Sequence, residues 1–151
     1  MYRSSVAATI TVFVLLFSGC DVLGLSSSGS DLSTTYVTER SQYAMTDTIA
    51  ATLENQEERT VYVSSGCPTV GLQEPVNEVW TTRPIPIICT AIARPPIPVA
   101  PGERFETGLL PFMLEEAEAE PGTYRLTLEI GLKESGPFRT VVSNRFELTE
   151  Q

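Results

Sequence analysis

Thr123-Tyr124-Arg125-Leu126-Thr127-Leu128-Glu129-Ile130 decides the fold. Tyr124, Leu126, Leu128 and Ile130 fall on one side of an extended chain, and Thr123, Arg125, Thr127 and Glu129 on the other. Successive side chains of a strand point to opposite faces, so this period of two predicts a strand with one face on a core and one in water. Pro121-Gly122 turns the chain into it, and Ser135-Gly136-Pro137 turns it out again.

The same period recurs on both sides. Ser33 to Thr38 is rich in β-branched and aromatic residues and predicts a first strand. In Thr48 to Glu54, Ile49, Ala51 and Leu53 share a face. The polar run Asn55 to Arg59 then predicts a turn, with Thr60 to Ser64 returning as the partner of a hairpin. Val79-Trp80-Thr81 reads as a short strand carrying the sole tryptophan, and Phe105, Thr107 and Leu109 line one face of another. Thr140 to Thr149 closes the chain with Val142, Phe146 and Leu148 expected inward. Between Gly71 and Pro101 the pattern is less regular. Pro84 and Pro86 favour an edge or a bulge, and Pro95 to Gly102 reads as extended chain ending in a Pro-Gly turn. Glu115 to Glu120 predicts at most one helical turn. About seven to eight short strands, each with one apolar face, predict an all-β antiparallel sandwich.

The N-terminus has a different character. Arg3 precedes an apolar run from Val6 to Phe17, which is short for a spanning helix and has the layout of an export signal. It ends in Leu16-Phe17-Ser18-Gly19-Cys20, which resembles the lipobox of bacterial lipoproteins, with Phe17 where leucine is usual. That resemblance implies cleavage before Cys20, acylation of Cys20 and a protein held on the membrane of the bacterial cell envelope without spanning it. More than one acyl chain is needed for a stable hold. The expected organisation is a signal peptide at 1–19, a Ser/Gly-rich tether at 20–33 and one β-sandwich domain at 34–151.

Charge and cysteines narrow the function. The net charge of −9 argues against nucleic acid as a partner and against electrostatic adhesion to anionic lipid. The chain has three cysteines. With Cys20 committed to lipid, Cys67 and Cys89 remain as a pair able to form a disulfide in an oxidising compartment. Two cysteines in a chain with no histidine make a poor zinc site, so no metal and no cofactor are expected.

The order of the pieces is more specific than their composition. Thr52-Leu53-Glu54-Asn55 is followed by Cys67, Trp80, Cys89 and Val99-Ala100-Pro101-Gly102-Glu103. Pro121-Gly122-Thr123-Tyr124-Arg125-Leu126 and Ser143-Asn144-Arg145-Phe146-Glu147-Leu148 come after them. This succession resembles bacterial immunoglobulin-like domains of lipoproteins and is similar to the BsuPI-type intracellular proteinase inhibitor fold. It implies an immunoglobulin-like sandwich from about Tyr36 to Leu148. The lipobox and the cysteine pair are departures from an intracellular inhibitor.

Candidate sites follow from residue chemistry. Without histidine there is no Ser-His-Asp triad or Cys-His pair, and no glycine-rich phosphate loop is present, so the expectation is a non-catalytic module. Glu115, Glu116, Glu118 and Glu120 form an acidic run that reads as a solvated loop, with weak calcium binding as the alternative. Asn55 is expected to satisfy backbone groups of its turn. Tyr124 is expected to bond backbone a few residues upstream, as a tyrosine corner does. Trp80 could pack on a disulfide or serve as a binding residue. With Ile85, Ile87, Ile92 and Ile97 it outlines a candidate surface for a protein partner; the isoleucines could equally be a second layer of core. A different reading is a proteinase inhibitor presenting a constrained loop around Gly66-Cys67-Pro68.

Overall fold

A computed structural model describes residues 32–87 and 94–150. The signal segment, Cys20, most of the tether, Cys89 and Ile92 lie outside the described residues. Strand β9 (Gly122–Gly131), which contains the alternating stretch quoted first, is the longest strand and the spine of the larger sheet. One of its edges pairs with β10 (Phe138–Val142) and β11 (Phe146–Thr149), the other with β4 (Val61–Val63) and β5 (Val70–Val76). β2 (Gln42–Ala44), β6 (Val79–Arg83) and β7 (Ile97–Val99) extend it to eight strands, of which only β2 runs parallel to its neighbour β11. Against this lies a three-stranded sheet in the order β1 (Thr34–Thr38), β3 (Ile49–Asn55), β8 (Arg104–Leu109). The protein is an all-β sandwich with eleven strands among the described residues, several of them three residues long.

The core is what the period of two selects. Tyr124, Leu126, Leu128 and Ile130 are buried, as are Ile49, Ala51 and Leu53 on the opposing sheet. Phe146 lies edge-on to Tyr43 at 5.5 Å and stacks on Tyr124 at 6.3 Å, which fastens β2 and β11 to β9. Leu32 is buried and Ser33 O accepts from the Gln56 N–H at 3.0 Å, so the fold takes up the last residues assigned to the tether. Asn144 links the sheets: its Oδ1 accepts from the Thr38 N–H at 2.7 Å, and its Nδ2 donates to Thr38 Oγ1 at 2.9 Å.

Two expectations are corrected. Thr60–Ser64 does not return as the hairpin partner of Thr48–Glu54, because β3 already has β1 and β8 on its two edges. The turn instead carries the chain across the core, and β4 pairs with β7 and β9. Asn55 makes the crossing possible. Its buried Nδ2 donates to Arg59 O at 2.9 Å and Val99 O at 2.8 Å, while its Oδ1 accepts from the Glu57 N–H at 3.0 Å. Near the C-terminus Val141, not Val142, faces the core, because Val141 stands opposite the inward-facing Leu128. The chain then shifts phase at Ser143, whose hydroxyl accepts from the Leu126 N–H at 2.8 Å, so that Phe146 and Leu148 return inward.

The helical turn starts ahead of the acidic run and takes in only its first two residues, Glu115 and Glu116. α1 (Pro111–Glu116) is set by Pro111 at its first turn and by Met113 and Leu114, which it buries. Arg83 ties this segment to the sheet, donating to the carbonyl oxygens of Ala117 and Glu118 and pairing with Glu74 at 3.1 Å. That hydrogen bond to Glu74 leads the effects that raise the Arg83 pKa.

Candidate functional site

The candidate isoleucine surface comes apart in three dimensions. Ile85 is buried in the core, whereas Ile87 and Ile97 line a cleft of about 740 Å³. Cys67, Pro68, Arg94 and Met113 also wall that cleft. Gly66 and Cys67 are exposed and form its rim, with Thr69 Oγ1 donating to Gly66 O at 2.9 Å. Trp80 does not border this cleft.

Trp80 stands on the outward face of the large sheet. β5 and β6 form a hairpin around Asn77 and Glu78, both with positive φ (51° and 67°), the signature of a two-residue hairpin turn. Pairing with β9 stops at Gln73, so the hairpin tip overhangs the sheet, and Pro75 costs no ladder bond to β9. Val76 and Val79 at the tip are exposed. Behind the tip, Trp80 meets two arginines: the Arg125 guanidinium carbon lies 4.3 Å from the indole centroid and that of Arg145 lies 5.3 Å away. Each contact is a cation–π interaction.

Strand alternation builds this cluster. Arg125 is an outward residue of β9, opposite Gln73 on β5, whose Oε1 accepts from Arg125 Nε at 2.9 Å. Arg145 enters from the phase shift before β11, next to β9. Among the described residues neither Arg125 nor Arg145 is in an ion pair, whereas Arg40, Arg83 and Arg104 each have a carboxylate within 3.2 Å. Desolvation, and then the charge of Arg145, lower the pKa of Arg125. Two like charges are thus held on one aromatic ring.

A shallow trough of about 250 Å³ continues from the cluster along the same face. Its walls carry Ser64, Thr69, Gln73, Thr82, Thr127 and Thr140. Gly71 keeps it open, since a Cβ there would fall 2.3 Å from Thr127 Oγ1. Gln73 belongs to both trough and cluster, and Thr82 and Thr127 lie two residues along from Trp80 and Arg125 on the same face.

Asn55 and Tyr124 have the structural roles expected of them. The Tyr124 hydroxyl donates to Glu120 O at 2.8 Å and accepts from the Glu120 N–H at 3.2 Å, four residues upstream. The acidic run contributes to no group of three metal-ligating side chains among the described residues. Arg125, Arg145 and Gln73 escaped the sequence reading. Arg125 was visible as an outward residue of the clearest strand, but nothing in the sequence brings it to Trp80. The chain matches no protein-family model, and no curated protein matches it.

Proposed function

We propose that this is a bacterial envelope lipoprotein, exported, anchored through lipid on Cys20, and acting as a non-catalytic immunoglobulin-like binding or accessory module. Three features support this reading. The motif Leu16-Phe17-Ser18-Gly19-Cys20 lies a short Ser/Gly-rich stretch ahead of the buried Leu32. No helix among the described residues is long and apolar enough to cross a membrane, so attachment in this reading falls to the acyl chains. With Cys20 acylated, Cys67 and Cys89 are left as a pair that fits a disulfide in an oxidising compartment.

The observation that carries the binding role is the partly buried Trp80 held between two arginines that are in no ion pair among the described residues. Tryptophan and arginine are the side chains most often found at binding hot spots. The inhibitor reading is weaker, because Gly66-Cys67-Pro68 forms the wall of a cleft where an inhibitory loop would stand clear of the body. Expression of the wild type and of Cys20→Ala, followed by fractionation and mass spectrometry of the N-terminal peptide, tests the anchor. The expected result is a membrane-bound, diacylated or triacylated Cys20 and an unprocessed precursor for the variant. A wild type with a free Cys20 thiol would overturn the proposal.

A further inference from the structure

We infer that the outward face of the large sheet, from the Gly71 trough to the Trp80–Arg125–Arg145 cluster, binds a short run of an acidic polysaccharide. The inference names the ligand of the binding module proposed above and rests on that reading. Two guanidiniums at one ring repel each other, and the depressed pKa of Arg125 records part of that repulsion. An anion between them relieves it and accepts charge-assisted hydrogen bonds. On a chain whose Asp and Glu number 19 against 10 Lys and Arg, carboxylates are plentiful, yet none pairs with these two among the described residues.

The trough specifies what carries the anion. Its polar lining is hydroxyls, one amide and the Glu129 carboxylate, groups that exchange hydrogen bonds with sugar hydroxyls, and its small open volume suits a pyranose ring better than an extended apolar body. Thr82 and Thr127 stand one strand repeat, about 6.6 Å, from Trp80 and Arg125, the scale of a single sugar unit. An acidic group on one unit therefore reaches the arginines while the next unit lies over the threonines. Carboxylates bound the site on both sides: Glu129 lines the far end of the trough, and Glu147, which accepts from Thr123 Oγ1 at 2.7 Å, stands one strand repeat beyond the arginines, so negative charge is favoured only at the two guanidiniums. A net charge of −9 repels any polyanion at long range, so the two arginines hold a single acidic group at contact and do not make the long basic track that nucleic acid needs.

Trp80 supplies the assay, since it is the sole tryptophan and its emission reports on this site alone. The full chain, purified in detergent, is titrated with a size-defined oligogalacturonate, with its fully methyl-esterified neutral counterpart, and with a heparin-derived oligosaccharide. Saturable change in Trp80 emission is expected with one or both anionic glycans, carboxylate or sulfate according to which responds. Esterification, Arg125→Gln or Arg145→Gln should each weaken binding by about tenfold or more. Added salt should weaken it further. Arg145 is exposed, so Arg145→Gln should unfold at the wild-type temperature and keeps the test valid if Arg125→Gln does not fold. No binding of either anionic glycan at millimolar concentration, or binding indifferent to Arg145→Gln or to esterification, would overturn the inference. The mass of the N-terminal peptide from the same preparation separates the two proposals. A lipidated Cys20 without glycan binding removes the ligand alone, and binding by an unmodified chain removes the anchor alone.

Discussion

Three buried tyrosines make a controlled experiment on what a hydroxyl is worth in this core. Tyr36, Tyr43 and Tyr124 are 4%, 1% and 2% exposed. The Tyr124 hydroxyl exchanges two hydrogen bonds with Glu120, and that of Tyr43 accepts from the Arg40 N–H at 3.0 Å and donates to Ala50 O at 3.2 Å. The Tyr36 hydroxyl has no partner among the described residues. A buried hydroxyl left unbonded costs about 1–3 kcal/mol, so Tyr36→Phe removes a penalty, and after the small loss of contacts around the missing oxygen it should stabilise by about 1 kcal/mol. Tyr43→Phe and Tyr124→Phe strand backbone groups and should each destabilise by about 1 kcal/mol. At about 4 °C per kcal/mol for a domain of this size, the variants should differ in Tm by about 8 °C, with wild type between them.

The same residue makes a pH prediction. Burial raises the Tyr36 pKa well above its ordinary value of 10.0, so its neutral form is favoured in the fold. The unfolded chain gives up that proton first. The stability it contributes is therefore complete below about pH 10 and is lost as pH rises from there toward the folded value. Tyr36→Phe should unfold less steeply in alkali than wild type in a calorimetric series from pH 7 to above pH 10. A Tyr36→Phe variant as destabilised as Tyr124→Phe would refute the reasoning, since it would mean that the hydroxyl is bonded.

Asn55→Ala removes three hydrogen bonds from a fully buried side chain and should cost about 2–4 kcal/mol in denaturant unfolding; Asn55→Asp cannot donate to Arg59 O and Val99 O and should be no better. Gly108→Ala would put a Cβ 2.2 Å from the Ile49 carbonyl oxygen, a backbone clash between β8 and β3, and should lower stability by about 3 kcal/mol or more, read as loss of folded yield. Arg83→Met keeps much of the stem but loses the pairing with Glu74 and the cap on residues 117 and 118. It should cost about 1–2 kcal/mol, with hydrogen exchange rising first around α1.

The sequence by itself determined that strands would form and which of their faces would be apolar. Alternation at Tyr124, Leu126, Leu128 and Ile130, or at Ile49, Ala51 and Leu53, is a local property of the backbone, and any sandwich would bury those faces. The side-chain roles of Asn55 and Tyr124 were legible for the same reason, since their main partners lie a few residues away. Pairing is another matter. Only the tertiary structure decided that β3 and β4 face each other across the core, because the free edge that each strand finds depends on elements distant in sequence. The phase shift at Ser143, which exchanges Val142 for Val141, depends likewise on register against β9. The candidate site is the extreme case: Gln73, Trp80, Arg125 and Arg145 come from four places in the chain and meet only because β9 lies between β5 and β11. Period fixes the face of a residue; hydrogen-bonded register fixes its neighbours, and register is a property of the whole sheet.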